Sequence, residues 1–244
     1  LHYPLRRQRQ MCIRDRSMAR LKEYNGYYCE SEYEYAFIGF LETEGWIYSS
    51  GNNISRVTKR DVLIADDFKK FIVDTNPDLT EDEVTQIFDN VRLVGSESDF
   101  ATLHKVYGWM VNGIQFTPQD GIARMIPLID FKKDSNKNIF RVVNQFTVEY
   151  TNNGQKENRR PDVLLFVNGM PLCVIELKNP ADANATIYDA WEQINIRYWR
   201  DIPHLLHYCT LACISDGVKT RLGTVHTPYE HFYAWRRVND GDAV

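Results

Sequence analysis

Two acidic residues and a lysine in the second half of the sequence have the types and spacing of a metal-dependent phosphodiesterase site. Asp162 follows a proline, and Glu176 and Lys178 lie two positions apart at the end of an apolar segment. Carboxylate oxygens are the ligands that Mg²⁺ prefers. Mg²⁺ held in this way polarises a phosphate and lowers the pKa of a bound water, and a lysine ammonium can position that water or stabilise developing charge. These residues therefore predict Mg²⁺-dependent cleavage of a phosphodiester.

This chemistry requires the two carboxylates to converge, and the sequence between them predicts a β-hairpin. The segments 162–167 (DVLLFV) and 171–177 (PLCVIEL) are almost continuously apolar. Such runs are typical of central strands that are covered on both faces. Asn168 and Gly169 between them favour a tight hairpin turn.

The hairpin places both charged ends at the same end of an antiparallel pair, because the turn lies at the opposite end. Glu176 and Lys178 then point to one face, about 6.6–6.8 Å apart along the strand. Asp162 begins the partner strand and can face Glu176, and the carbonyl of Leu177 is a further candidate metal ligand. The alternative is a salt-bridged hairpin rim in which Lys178 pairs with one of the carboxylates.

The remaining sequence predicts helices first and strands later. Thr80 begins a capping box, Ser98 can cap another helix, and Gly45 and Gly113 are suited to follow helix ends. We expect an α/β fold in which a central mixed β-sheet is flanked by helices, with a helical N-terminal part. The predicted helices are 27–45, 61–75, 80–90, 98–112, 183–199 and 228–236; further strands are predicted at 122–131, 140–150, 208–215 and 221–226.

Residues 1–17 do not follow the pattern of a folded protein. They contain five Arg and one Asp without periodicity, and the stretch MCIRDR resembles the translation of an adapter used in DNA sequencing libraries. We interpret them as an artefact, the alternative being a basic, disordered arm. Without them the chain has 24 basic and 32 acidic residues, a net charge of −8. Because affinity for duplex DNA comes largely from phosphate neutralisation, such a domain is a poor autonomous DNA binder.

Cysteine usage and hydropathy indicate a cytoplasmic protein that does not enter a membrane. The five cysteines form no C-x-x-C pair, and their spacing to histidines fits no zinc pattern. No stretch approaches the roughly 18 uncharged apolar residues that a membrane span needs. We expect reduced thiols.

The segment RRPDVLLFVNGMPLCVIELKNPADANATIYDAWEQI carries the PD-(D/E)xK nuclease signature and resembles the N-terminal nuclease domain of the R subunit of type I restriction-modification enzymes. The resemblance continues in EYEYAFIGFLETEGWIY, FRVVNQFTVEY, RDIPHLLHY, ISDGVKTRLGT and TPYEHFYAW, so that it spans about residues 27–238. It implies a PD-(D/E)xK, restriction-endonuclease-like fold.

The resemblance also implies further site residues. A family glutamate on the first helix is matched by Glu34, which would complete the metal site. The family has a Gln-x-x-x-Tyr motif, but here Gln193 and Tyr198 are five positions apart instead of four. Five residues turn an α-helix by about 500°, so the two side chains should not share a face. We expect Gln193 near the site and leave open whether Tyr198 is a core aromatic.

The family implies double-stranded DNA as substrate, and specificity and methylation subunits as partners. Arg159 and Arg160 precede the site and can contact phosphate. The sequence has no G-x-x-x-x-G-K-[ST] motif, so ATP is expected only through a motor domain absent from this chain, and S-adenosylmethionine only in the holoenzyme.

The expected domain organisation is a nuclease domain at 18–238, followed at 239–244 by the start of a linker to that motor domain. Two alternatives stay open. One is a repair or recombination nuclease of the same fold, and the other is a DNA-binding module of this fold that does not cleave.

Overall fold

The computed structural model describes residues 30–95, 98–132, 136–179 and 186–234. The segments 1–17 and 239–244, on which two of the domain expectations rest, lie outside this part of the chain. The first α-helices along the described residues are α1 (Glu30–Thr43), α2 (Ala65–Thr75), α3 (Glu81–Arg92) and α4 (Asp99–Asn112).

A seven-stranded mixed sheet forms the centre of the described structure, and its strands in spatial order are β1 (Ile47–Ser50), β4 (Phe140–Asn144), β7 (Val163–Val167), β8 (Met170–Leu177), β9 (Leu211–Ser215), β10 (Thr220–Gly223) and β11 (Tyr233–Ala234). β1 pairs with β4 and β8 with β9 in parallel, whereas the other neighbours are antiparallel. Two small antiparallel sheets pair β2 (Ile114–Phe116) with β3 (Arg124–Ile126), and β5 (Val148–Asn152) with β6 (Gln155–Arg159).

The helical segment that follows β8 contains a π-helix. It runs through α5 (Ile187–Glu192), the π-helix (Gln193–Tyr198) and α6 (Trp199–Asp201). A short helix, α7 (Pro203–Leu206), comes next. None of the described helices is long and apolar enough to cross a membrane.

The predicted α/β architecture is confirmed, and so are several element ends. Thr80 and Glu83 form the predicted capping box, and the Ser98 side chain accepts a hydrogen bond from the Ala101 N–H. Gly113, with φ +86°, follows α4 as its C-cap.

Two of the predicted elements are wrong. The predicted strand 140–150 is two strands in different sheets, because Gln145 adopts a left-handed backbone conformation with φ +56° and breaks the run. The predicted helix 228–236 is, in its described part, a 3₁₀ turn followed by β11. Antiparallel pairing with β10 places Tyr233 and Ala234 in a strand instead of a helix.

Both faces of the central sheet are covered, as the continuous apolar strands predicted. Val142, Val163 and Ile175 pack with Ile38 of α1 on one face. The opposite face carries the adjacent residue of each strand. These residues, Val143, Leu164 and Val174, pack in a larger cluster with α2, α3 and the π-helix. Strand side chains alternate between faces, so each site residue can be assigned to a face by its position in the strand.

The β7–β8 turn is held closely against the start of α2. Asn168 and Gly169 have φ of +51° and +77°, as the predicted Asn-Gly turn requires. The Gly169 carbonyl accepts a hydrogen bond from the Ile64 N–H at 2.8 Å. A Cβ at Gly169 would lie 2.2 Å from the Ile64 carbonyl oxygen, so this glycine is required by contact as well as by conformation.

Comparison with the Asn153–Gly154 hairpin turn separates the conformational requirement from the contact requirement. Gly154 has φ +79° in the β5–β6 hairpin, but a Cβ there would meet nothing within 4 Å. We expect Gly154→Ala to lower the free energy of unfolding by about 1 kcal/mol through backbone strain alone. Gly169→Ala should lower it by at least about 2 kcal/mol more, because the backbone of α2 must also move. Urea unfolding of both variants checks this, and equal losses would contradict the proposed contact.

Candidate active site

The register of β7 and β8 brings Asp162 and Glu176 together. Val163 pairs with Ile175, and Asp162, just before β7, accepts a hydrogen bond at Oδ2 from the Leu177 N–H at 2.8 Å. Glu176 is fully buried. Burial, and then the negative charge of Asp162, raises the pKa of the Glu176 carboxyl well above its ordinary value. The hairpin therefore converges two carboxyl groups at the edge of the core, as its sequence predicted.

Two side chains of the π-helix donate hydrogen bonds to the buried Glu176 carboxyl group. Tyr198 donates its hydroxyl to Glu176 Oε1 at 2.5 Å, and Gln193 Nε2 donates to Glu176 Oε2 at 2.7 Å. Gln193 Nε2 also lies 2.9 Å from the Tyr198 hydroxyl. Each carboxyl oxygen thus has its own donor, which fixes the orientation of the Glu176 side chain.

Lys178 is held beside this group by the same glutamine. Its Nζ donates to Gln193 Oε1 at 3.2 Å, so Gln193 bridges Glu176 and Lys178. In the described part of the chain, no ion pair within 4 Å joins Lys178 to Asp162 or Glu176. The alternative of a salt-bridged hairpin rim is therefore not what the structure contains.

The π-helix corrects the expectation that Gln193 and Tyr198 point to different faces. That expectation assumed α-helical geometry, in which residues five apart diverge. A π-helix has i→i+5 hydrogen bonds and a wider turn, which brings residues five apart onto one face. The π-helix thereby accommodates the one extra residue between Gln193 and Tyr198, and both side chains still reach Glu176. Tyr198 is only 1% exposed, so it is a core aromatic and a hydrogen-bond donor to the site at once.

Glu34 is held by an amide side chain at the end of β4. It is buried on α1, where it accepts a hydrogen bond from Asn144 Nδ2 at 2.5 Å. Asn144 shares the strand face of Val142, which packs against α1, whereas Glu176 shares the opposite face with Val174. That Glu34 completes the metal site stays a prediction, and α1 packs on the sheet face opposite the π-helix.

The two arginines that precede the site differ in their surroundings. Arg159 makes an ion pair with Asp201, with Nη2 at 2.6 Å from Oδ2, and its guanidinium lies over the Tyr150 ring. This pairing accounts for Arg159 within the fold. Arg160 is exposed, so a contact with phosphate is retained as a proposal for Arg160 in particular.

The donor set fits a divalent cation at the carboxylate pair. A cation between Asp162 and Glu176 would offset the negative charge of Asp162, which helps to raise the pKa of the Glu176 carboxyl. Among the residues that the structure describes, no cluster of three or more His, Cys, Asp or Glu side chains has metal-binding geometry. Two carboxylates suffice for Mg²⁺, which keeps several waters and takes substrate phosphate oxygens as its other ligands. The Leu177 carbonyl is retained as a proposed additional ligand.

Two amide residues that were not predicted from the sequence contact Glu34: Asn144 and Gln145, of which Gln145 also connects to Asp162. Gln145 Nε2 donates to Glu34 Oε2 at 3.3 Å, and the Gln145 N–H donates to the Asp162 carbonyl at 3.3 Å. The signal was present in the segment FRVVNQFTVEY, where two adjacent amides interrupt an apolar strand.

The sheet order, the carboxylate hairpin and the flanking helices define a protein with a restriction-endonuclease-like fold. Residues 27–231 match the family described as type I restriction enzyme R protein N terminus (HSDR_N). The chain belongs to this family.

Curated relatives carry names of the same kind. A putative type I restriction enzyme MjaIXP endonuclease subunit of Methanocaldococcus jannaschii is 33% identical over 221 residues, which cover 86% of this chain and 21% of the relative. The type I restriction enzyme HindI endonuclease subunit of Haemophilus influenzae is 29% identical over 225 residues, or 86% of this chain and 20% of the relative. The chain thus spans about a fifth of the length of these relatives.

The π-helix can be tested by removing one exposed residue. Ile196 lies in its middle and is 49% exposed. We expect deletion of Ile196 to convert the segment to an α-helix with four-residue Gln-Tyr spacing, changing the free energy of unfolding by less than about 1 kcal/mol.

Deletion of exposed Gln86 in α3 is the matched control. It rotates the following residues by about 100° and withdraws Ile87, Phe88 and Val91 from the core, at a cost of several kcal/mol. Chemical denaturation measures both variants. Equal destabilisation by the two deletions would show that the π-helix is not a local insertion.

Proposed function

We propose that this chain is a Mg²⁺-dependent nuclease domain that cleaves DNA phosphodiester bonds within a type I restriction subunit. The observation that carries the proposal is the Asp162–Glu176 pair with Lys178 beside it, joined through Gln193. Family membership supports restriction over a repair or recombination role. All three core residues of the nuclease signature are present, which favours cleavage over binding alone.

Each residue of the group has a distinct role in this proposal. Asp162 and Glu176 hold the metal; when bound, Mg²⁺ supplies Lewis-acid polarisation of the scissile phosphate. Lys178 orients the attacking water or stabilises charge that develops on the phosphate. Gln193 fixes the position of the Lys178 ammonium relative to Glu176, and Tyr198 fixes the Glu176 carboxyl.

The charge of the chain supports a division of labour in the complete enzyme. Without residues 1–17 the net charge is −8, which opposes tight binding to duplex DNA by this domain alone. We propose that specificity and methylation subunits, with S-adenosylmethionine, supply recognition. ATP would act only through a motor domain outside this chain, and the complex would work in the cytoplasm.

Nicking of supercoiled plasmid in Mg²⁺ tests the proposal. We expect the parent chain to nick the plasmid, and Glu176→Ala and Lys178→Ala each to reduce the rate at least about 100-fold, because each removes a group that acts on the reacting phosphate. Chelation of Mg²⁺ should abolish nicking by the parent.

Glu149→Ala and Lys156→Ala serve as matched controls. These two side chains form an ion pair in the β5–β6 hairpin, outside the site, and should leave nicking unchanged. Nicking that survives in Glu176→Ala would contradict the assignment of the site. If the parent is inactive alone, the same substitutions are introduced into the full-length subunit assembled with its partners, where loss of restriction is expected.

A further inference from the structure

Gln145 has a backbone conformation that its residue type disfavours. β4 ends at Asn144, and Gln145 follows with φ +56°, in the left-handed region. Residues with a Cβ rarely occupy this region outside turns. Such conformations cluster at functional sites, where the surrounding structure determines them. The position of Gln145 directly beside Asp162 raises the question of what this conformation achieves.

Contacts from two directions hold the Gln145 backbone in place. Its N–H donates to the Asp162 carbonyl at 3.3 Å, at the end of the β4–β7 pairing. On the other side Gly51 permits a close approach, since a Cβ at Gly51 would lie 2.6 Å from the Gln145 carbonyl oxygen and 2.5 Å from the Phe146 Cα. These contacts fix the end of β4 next to Asp162.

The side chain of Gln145 extends the connection to α1. Its Nε2 lies 3.3 and 3.5 Å from the two carboxyl oxygens of Glu34. Asn144 already donates to Glu34 at 2.5 Å and accepts from the Tyr48 hydroxyl at 3.1 Å. Burial of Glu34 is therefore supported without Gln145, so the strained conformation is not needed simply to satisfy that carboxylate.

We propose that Gln145 is a positioning residue, which couples buried Glu34 on α1 to the backbone of Asp162 and so fixes the Asp162 carboxylate for metal binding. This inference rests on the proposed function, because it assumes that Asp162 and Glu176 hold a divalent cation. Glu34 would then act from the far face of the sheet, through Gln145, and not as a metal ligand.

Replacement of Gln145 should lower metal affinity without lowering the stability of the fold. Gln145→Gly removes the amide and the left-handed strain together, so the thermal unfolding midpoint of the metal-free chain should be unchanged or higher. Mn²⁺ binding, measured by isothermal titration calorimetry on the 244-residue chain, should weaken by about tenfold, as is typical when groups that support a metal ligand are lost. Gln145→Asn tolerates the same backbone conformation with a shorter amide and should weaken binding similarly.

Asn153→Gly is the matched control, because Asn153 has φ +47° in an exposed hairpin turn away from the site. It should leave both Mn²⁺ affinity and thermal stability as in the parent. Glu176→Ala should abolish binding and so report on the site itself.

The possible results distinguish this inference from the proposed function. Parent-like Mn²⁺ affinity in Gln145→Gly, with loss only in Glu176→Ala, would overturn the role of Gln145 and leave the metal site intact. If both Gln145 variants lose thermal stability as well as Mn²⁺ affinity, the role of Gln145 is structural, and the proposed positioning role is also overturned. Failure of the parent chain to bind Mn²⁺ would overturn both proposals.

Discussion

The burial of the Glu176 carboxyl is the constraint on which the site depends. A carboxyl group without solvent is costly unless its oxygens are satisfied, and here each oxygen has a donor from the π-helix. The same donors leave the group beside Asp162, whose negative charge helps to raise the pKa of the Glu176 carboxyl. Protein donors thus orient the Glu176 side chain, and in the proposed function a divalent cation would balance its charge.

The surrounding elements position this one group. The Asn168–Gly169 turn sets the register that places Asp162 opposite the end of β8, and contact with α2 anchors the turn. The π-helix lets Gln193 and Tyr198 converge although their spacing is one residue longer than the motif. Gln193 then extends the network to Lys178, so that the acid and the ammonium are held at a fixed relative position instead of neutralising each other in a direct ion pair.

The parts of the fold set by local pattern were predictable, and those set by tertiary contact were not. The apolar runs and the Asn-Gly dipeptide define the β7–β8 hairpin, and with it Asp162 and Glu176. An interpretation based on α-helical periodicity does not predict the π-helix, so it was left open whether Tyr198 is a core aromatic or lies at the site. The break at Gln145 depends on close packing against Gly51, which no pattern of residue types reveals. The role of Glu34 at the metal was implied by family resemblance and stays a prediction, while strand alternation places its partner Asn144 on the face opposite Glu176.

The most direct test of this account is an anomalous diffraction map from crystals of this chain grown with Mn²⁺. The account predicts one strong peak within about 2.5 Å of carboxylate oxygens of both Asp162 and Glu176, with water completing the coordination and Glu34 outside it. A peak coordinated by Glu34, or the absence of a peak beside Asp162 and Glu176 in crystals that contain ordered Mn²⁺ elsewhere, would contradict the central claim.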